Sequence, residues 1–189
     1  MSTAADADPE LARLLGRVSQ AASFLEASVE AALIRILPMT DPMGTVVFSS
    51  NSVSRNLTIL TGLLSLPEVT VTDEWRERLR GHINEVQALL GDRNRLLHGR
   101  IIDQAPGSRK YFLIQHQSDH RGDRSSAAPL DLAYVEQRLS RMQELAGELL
   151  SVPHAEYDLT LWEKGWRQYP TKPSSTDPKP ARGRQKDRS

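Results

Sequence analysis

The sequence predicts a mostly α-helical fold, a bundle of four to five helices with a short β-hairpin inserted before the last main helix. Several long stretches carry apolar residues three and four positions apart, the spacing of an amphipathic helix. Residues that start and stop helices bound these stretches, and one segment rich in β-branched and aromatic residues interrupts them. The chain has 189 residues, which suits one domain with tails.

The first helix is predicted to begin at Pro9, because Asp8 is a good N-cap and proline suits the first helical position. Its apolar residues alternate four and three apart, which is a heptad seam. They are Leu11, Leu15, Val18, Ala22, Leu25, Val29, Ala32 and Ile36. Pro38 and the pairs Asp41-Pro42 and Met43-Gly44 are expected to end the helix. The seam can face another helix of the same chain or a second subunit.

Two further helices are predicted before the β segment. The second starts within residues 47–52, runs to Leu66 and is stopped by Pro67. The third starts near Thr72 or Asp73 and reaches His98, with Gly99 as the usual C-terminal stop. The apolar residues of the third are Trp75, Leu79, Ile83, Val86, Leu90 and Leu97.

The β segment and the last main helix follow. Residues 100–103 and 109–117 are predicted to form the hairpin, and residues 118–128 a polar loop. Asp131 is the predicted N-cap of the fourth helix, and Pro153 closes it. Its apolar stripe consists of Leu132, Val135, Leu139, Met142, Ala146 and Leu149.

The end of the chain has a different composition. Residues 158–169 carry Trp162 and Trp166 four apart, which suits a short helix that docks on the bundle. Residues 171–189 contain six Lys or Arg against two Asp, with three Pro and no large apolar side chain. This composition predicts disorder. Such a tail can hold RNA or DNA through phosphates, or it can simply keep the protein in solution.

These features divide the chain into a flexible N-terminus (1–8), a helical domain (9–169) and a basic disordered tail (170–189). The absence of cysteine excludes a disulfide framework, a thiolate nucleophile and a cysteine-based zinc site. No apolar run approaches the roughly 20 residues that span a bilayer, and the acidic N-terminus does not resemble a secretory signal. A cytoplasmic protein without membrane association is therefore expected.

The third helix contains one chemical anomaly, Arg93. With Arg93 at 0° on a helical wheel, Leu97 falls at about 40° and Val86 at about 20°, so this arginine lies within the apolar stripe. A guanidinium there must be paired or face a cleft. Asn94 and His98 are four residues apart and share one face. An arginine that holds phosphate beside a histidine that transfers protons is a sensible pair for phosphate chemistry.

The run Arg93-Asn94-Arg95-Leu96-Leu97-His98-Gly99 resembles the motif of the HEPN family (higher eukaryotes and prokaryotes nucleotide-binding), which is Arg, four to six residues, then His. The likeness covers roughly residues 9–152. It implies a metal-independent RNase, without a cofactor, that works as a homodimer with two motifs across a cleft.

On the same resemblance, the RNA 2′-hydroxyl attacks the adjacent phosphate, Arg93 grips that phosphate, His98 acts as acid or base, and Asn94 supports them. Arg95 and Arg100 would help to hold the RNA backbone. A toxin or phage-defence role follows, with RNA as substrate and an antitoxin or another protein as a further partner.

Two other pairs fit the looser spacing of the motif, Arg76 with His82 and Arg109 with His116. Neither has the context of Arg93. Arg76 is followed by Glu77 rather than asparagine, and Arg109 falls in the predicted hairpin. His82 is expected to be exposed, because it is placed away from the centre of the apolar stripe.

Arg93 also has a structural interpretation, in which it pairs with a carboxylate such as Asp92 or Glu85 or caps another helix, while His98 donates to the last carbonyls of its own helix. The HEPN family includes members that bind rather than cut. The alternative function is therefore a non-catalytic helical dimer that binds RNA, a nucleotide or a partner protein.

A metal site is not expected. His116 and His120 lie near Asp119 and Asp123, but their short, irregular spacing is more typical of a solvated polar loop than of a metal site. A glycine-rich phosphate loop and the His-Glu-x-x-His pattern are both missing, which argues against P-loop hydrolases and zinc proteases.

Overall fold

A computed structural model of the protein describes residues 8–37, 41–104, 108–119 and 122–157. The helices in these ranges are α1 (Pro9–Ile36), α2 (Asp41–Phe48), α3 (Val53–Leu63), α4 (Asp73–His98) and α5 (Leu132–Leu150). The strands are β1 (Val69–Thr70), β2 (Arg100–Asp103), β3 (Tyr111–Asp119), β4 (Gly122–Leu130) and β5 (Glu156–Tyr157). The predicted class, a mostly α-helical bundle with a β element before the last main helix, is confirmed.

Helix α1 runs through the middle of the bundle. Its N-cap is Asp8, as predicted, and the carboxylate accepts hydrogen bonds from the backbone N–H groups of Glu10 (2.8 Å) and Leu11 (3.3 Å). The buried surface is wider than the predicted seam and includes Leu14 and Leu33. The reason is that α1 packs against all four other helices, and most extensively against α5.

Helix α2 was not predicted, because its Asp-Pro and Met-Gly pairs were interpreted as helix breakers. Pro42 lies in the first turn of α2, where its missing N–H costs no hydrogen bond. Gly44 is buried, and a Cβ there would collide with the side chain of Ile34 on α1. Glycine at this position therefore allows α2 to lie directly on α1.

Helix α3 is shorter than predicted. Turn residues and the short strand β1 connect it to α4. Ser52 caps its N-terminus, and its last turn ends at Leu64. The Arg76 guanidinium, on α4, donates to the carbonyl oxygens of Leu64 and Val69, the latter over 2.8 Å. An arginine of α4 thus satisfies the Leu64 carbonyl at the end of α3 and also binds a carbonyl of β1.

Three antiparallel strands form a sheet in the order β2-β3-β4, with Arg100 opposite Ile114 and Tyr111 opposite Leu130. The sheet is larger than the predicted short hairpin, and the prediction of a polar loop over residues 118–128 is wrong. β4 is an edge strand whose residues 126–129 are all exposed, so it lacks the apolar alternation that identifies a strand. A separate pair, β1 with β5, was also not predicted.

The sheet is attached to the start of α1. Leu11, Ile101 and Tyr111 form a small buried cluster, and the Tyr111 hydroxyl donates a hydrogen bond to the Asp8 carboxylate. Burial, followed by this bond, raises the pKa of Tyr111 to about 12. The residue that caps α1 thus also holds the first residue of β3.

No helix in the described ranges is both long and apolar enough to cross a lipid bilayer. The predictions for residues 1–7, for a docking helix over 158–169 and for the basic tail over 170–189 lie outside the described residues.

Candidate functional site

Helix α4 carries the candidate motif in its last two turns. Thr72 caps the helix, and its Oγ1 accepts from the N–H of Trp75, in agreement with the predicted start. On a helical wheel with Arg93 at 0°, the buried residues of α4 span about −100° to +80°. This arc is wider than the one covered by the apolar residues predicted for this helix. The arc is wide because α4 packs against both α1 and α5. It includes His82 and Asp92 as well as apolar residues.

Arg93 is partly buried, with its side chain 23% exposed. Its Nη2 donates to Oε1 of Glu26 on α1, and its Nη1 donates to Oδ1 of Asn94 over 2.9 Å. The sequence predicted that this guanidinium needs a partner. The suggested partners, Asp92 and Glu85, are wrong, because both carboxylates bind other arginines.

Asn94 and His98 are both exposed and lie about 40° apart on the same face of α4. Within the part of the chain that the structure describes, the His98 side chain makes no hydrogen bond and no ion pair. His98 comes five positions after Arg93, which places their side chains about 140° apart around the helix. Asn94 lies between them on the helix surface, so the three residues form one strip from the contact with Glu26 on α1 to the solvent.

Gly99 ends α4, but not through the left-handed conformation that a helix-stop glycine usually adopts. Its φ is −75° and its ψ is 154°, which is extended backbone. A Cβ at this position would lie 2.5 Å from the Arg95 carbonyl oxygen and 2.5 Å from Cδ1 of Leu113 on β3. Glycine is needed here because β3 packs directly against the end of the helix that bears His98.

The predicted RNA-binding residues Arg95 and Arg100 lie at the same helix end. The Arg95 side chain is 56% exposed and pairs with the carboxylate of Asp92. Arg100 is exposed at the first position of β2. Both are within three residues of His98 along the chain.

Asp92, next to Arg93, is buried, and its burial was not predicted from the sequence. It is 4% exposed, and its Oδ2 accepts from the Tyr134 hydroxyl over 3.0 Å and lies 2.9 Å from Nε of Arg138. Tyr134 and Arg138 belong to α5. The sequence shows only that an acidic residue precedes Arg93. Asp92 is buried because the buried face of α4 is wider than its apolar stripe and includes this position.

The competing pair Arg76 and His82 has structural roles. Arg76 caps α3, as described above, and His82 is 7% exposed rather than exposed as predicted. Its Nε2 lies 3.2 Å from Oε2 of Glu148 on α5, without the alignment of a hydrogen bond. Burial lowers the pKa of His82, against the opposing effect of Glu148.

Arg141 on α5 organises the carboxylates beside His82. Its Nε and Nη2 donate to Glu85 over 2.6 and 2.8 Å, and its Nη1 donates to Glu148 over 2.8 Å and to Glu144 over 3.2 Å. The hydrogen bonds from Arg141 to Glu85 lower the pKa of Glu85. Glu85 therefore belongs to the α4–α5 contact and not to Arg93.

The other competing pair, Arg109 with His116, lies in the sheet region. Arg109 has a positive φ of 55° and its Nη1 lies 3.1 Å from Oε2 of Glu10. The side chain of His116 lies outside the described residues, as does His120. In the described part of the chain, no three His, Asp or Glu side chains are grouped so that they would hold a metal ion.

Comparison with known proteins gives no match: no family model fits the chain, and neither a curated protein nor a solved structure is similar to it.

Proposed function

We propose that this protein is a metal-independent endoribonuclease of the toxin or phage-defence type, which acts in the cytoplasm through Arg93 and His98 with the help of Asn94. The resemblance of the motif to the HEPN family suggested this activity. The observation that carries it is the strip of side chains at the end of α4. A partly buried arginine is hydrogen-bonded to Asn94, and Asn94 shares its face with an exposed histidine.

The strip has the groups that RNA cleavage without a metal requires. The Arg93 guanidinium binds a non-bridging phosphate oxygen and stabilises the charge that develops there. The 2′-oxygen attacks phosphorus, the bond from phosphorus to the 5′-oxygen breaks, and the products are a 2′,3′-cyclic phosphate and a 5′-hydroxyl. The 2′-hydroxyl must lose a proton and the leaving 5′-oxygen must gain one; His98 carries out one of these two transfers and water the other.

The angular separation of Arg93 and His98 favours a homodimer as the working form. Within one chain the two side chains diverge by about 140°, so Arg93 faces Glu26 on α1 while His98 faces solvent. A second chain whose motif approaches the first would place its own His98 opposite Arg93. Arg95 and Arg100 would then bind the RNA backbone on either side, and an antitoxin or other protein partner would cover the site.

The experiment is cleavage of a fluorescein-labelled single-stranded RNA in EDTA. We expect cleavage by the wild type and at least a 100-fold loss of rate in Arg93→Ala and in His98→Ala. Arg80→Ala and His154→Ala are matched controls, because both residues are exposed and lie away from the motif. A substrate with 2′-deoxyribose throughout should resist cleavage. Full activity in both motif variants would exclude this site.

The second candidate function is a helical dimer of the same fold that binds RNA, a nucleotide or a partner protein without cutting. The observation that favours it is the ion pair between Arg93 and Glu26, since a guanidinium held by a carboxylate also has a purely structural use. Intact folding and RNA binding without cleavage by the wild type would favour this candidate.

A further inference from the structure

The contact between Glu26 and Arg93 joins the middle of α1 to the motif. Oε1 of Glu26 accepts a hydrogen bond from Nη2 of Arg93. The two side chains are 35% and 23% exposed, so solvent reaches the pair. Nη1 of the same guanidinium donates to Asn94. Arg93 is therefore held from two sides, by a charge on α1 and by an amide on its own helix.

A guanidinium offers five N–H donors in a planar fork, and the described contacts use two of them. The fork fits a carboxylate and a phosphate equally well, because both present oxygens at a similar spacing. Glu26 and an RNA phosphate are therefore acceptors of the same kind for the same guanidinium. They also repel each other, because both are negative and only partly screened by water at this depth.

We propose that Glu26 is a positioning residue that occupies Arg93 in the absence of RNA and competes with the phosphodiester for it. This inference rests on the proposed function, since it takes the phosphate of RNA as the ligand of Arg93. The carboxylate keeps the guanidinium in place beside Asn94, and its charge lowers the affinity for phosphate. Glu26 thus sets how tightly the site binds RNA.

The two effects of Glu26 are separated by two substitutions. Glu26→Gln keeps an oxygen that can accept from Arg93 but removes the charge, so Arg93 stays in place and phosphate binds more tightly. Glu26→Ala removes the acceptor as well, so Arg93 loses its contact with α1. Glu30→Gln is the matched control, because it removes the same charge one turn further along α1 from a partly exposed position.

The test measures binding of a fluorescein-labelled 2′-O-methyl RNA, which cannot be cleaved by 2′-hydroxyl attack, by fluorescence anisotropy. We expect Glu26→Gln to bind about five- to tenfold more tightly than the wild type. The slope of log affinity against log salt should become steeper by up to about 0.7, because in the wild type the displaced Glu26 carboxylate takes up a counterion and offsets the one that the phosphate releases. Glu30→Gln should change neither quantity. In an Arg93→Ala background the effect of Glu26→Gln should fall below twofold.

Cleavage kinetics on ordinary RNA give a second readout. Glu26→Gln should lower KM with little change in kcat, and the pH profile of kcat should keep its shape. Unchanged affinity in Glu26→Gln, with an unchanged melting temperature, would reduce the pair to a structural contact and overturn the inference. A fall of kcat by 100-fold or more at constant KM, with loss of the acidic limb of the profile, would overturn it too, because Glu26 would then be the general base.

The experiments distinguish a wrong role for Glu26 from a wrong proposed function. If Arg93→Ala binds and cleaves RNA like the wild type, the proposed function fails and the competition proposed for Glu26 fails with it. If Arg93→Ala is defective while Glu26→Gln behaves like the wild type, only the role of Glu26 is wrong.

Discussion

Asp92 and Arg138 join α4 to α5 beside the motif, with Nε of Arg138 2.9 Å from Oδ2 of Asp92. The N–H of this nitrogen is not aligned with the carboxylate, so the contact is an ion pair rather than a hydrogen bond. Tyr134 supplies the aligned donor to the same oxygen, over 3.0 Å. The residue before Arg93 is therefore anchored to α5, while Arg93 itself is anchored to α1.

The first prediction concerns Asp92. Asp92→Asn should lower the free energy of unfolding by about 1–3 kcal/mol, because the change leaves Arg95 and Arg138 without their carboxylate. The loss is smaller than for a fully buried pair, because both arginine side chains reach solvent, with exposures of 56% and 34%. Urea denaturation at pH 7 measures it. Glu77→Gln, which removes an 82% exposed carboxylate on the same helix, should change stability by less than about 0.5 kcal/mol. Equal stability of both variants would contradict a buried anchor at Asp92.

The second prediction compares two glycines of the same helix region. Gly99→Ala should destabilise the fold by about 1–3 kcal/mol, because the added methyl group meets the Arg95 carbonyl and Leu113. Gly91→Ala should be neutral or stabilising by up to about 1 kcal/mol, because a Cβ there has no atom within 4 Å and alanine favours a helix. Thermal denaturation of both proteins decides the matter, and a stable Gly99→Ala variant would mean that β3 does not need this close approach.

The third prediction concerns His82 and pH. Its pKa is below the usual value of 6.5, mainly because burial disfavours the charged ring. Glu148 and Glu85 oppose this shift, while Arg141 and Arg78 add to it. The unfolded chain therefore takes up a proton on this histidine before the folded protein does, so its contribution to stability is complete above pH 6.5 and is lost as the pH falls below that value.

The free energy of unfolding should therefore fall as the pH drops from 7 to 5, with a slope from this one group of at most ~1.4 kcal/mol per pH unit. In His82→Gln the slope should be smaller, because the titrating group is gone. His154→Gln, at an exposed histidine, is the control and should keep the wild-type slope. Urea titrations at pH 7, 6 and 5 give the comparison. A slope in His82→Gln equal to that of the wild type would show that other groups cause the acid sensitivity.

The fourth prediction tests the homodimer. Co-expression of Arg93→Ala with His98→Ala yields mixed dimers in which one chain keeps the histidine and the other keeps the arginine. If the arginine of one chain works with the histidine of its partner, the mixed dimer recovers cleavage that neither variant shows alone. If both come from one chain, the mixture stays inactive. The oligomeric state is measured in parallel by light scattering.

Much of the helical framework could be predicted from residues that act locally. The caps Asp8 and Asp131 were identified and the start of α4 was placed near Thr72 or Asp73, because N-capping is a contact within three residues of the chain. The stripe on α5 was identified for a similar reason, since periodicity is local. Helix α2 was missed because Pro42 and Gly44 break helices in isolation, whereas here one lies in the first turn and the other fits against Ile34.

The candidate site could be located from the sequence but not assembled. Arg93 was singled out because a charge within an apolar stripe requires a partner. Its partner Glu26 could not be identified, because pairing between helices depends on their relative height and rotation, which periodicity does not specify. His82 was placed wrongly for the same reason. Its true burial depends on α5, a second packing partner that widens the buried face of α4.

The packing of α1 against α5 has a consequence for the order of synthesis. In the described part of the chain these two helices share the most extensive helix–helix contact, although α1 is made before α5 and about a hundred residues separate them. The core cannot close until residue 150 has emerged from the ribosome. The surroundings of Arg93 are therefore completed only after α5 has been synthesised, and a chain that ends before α5 lacks them.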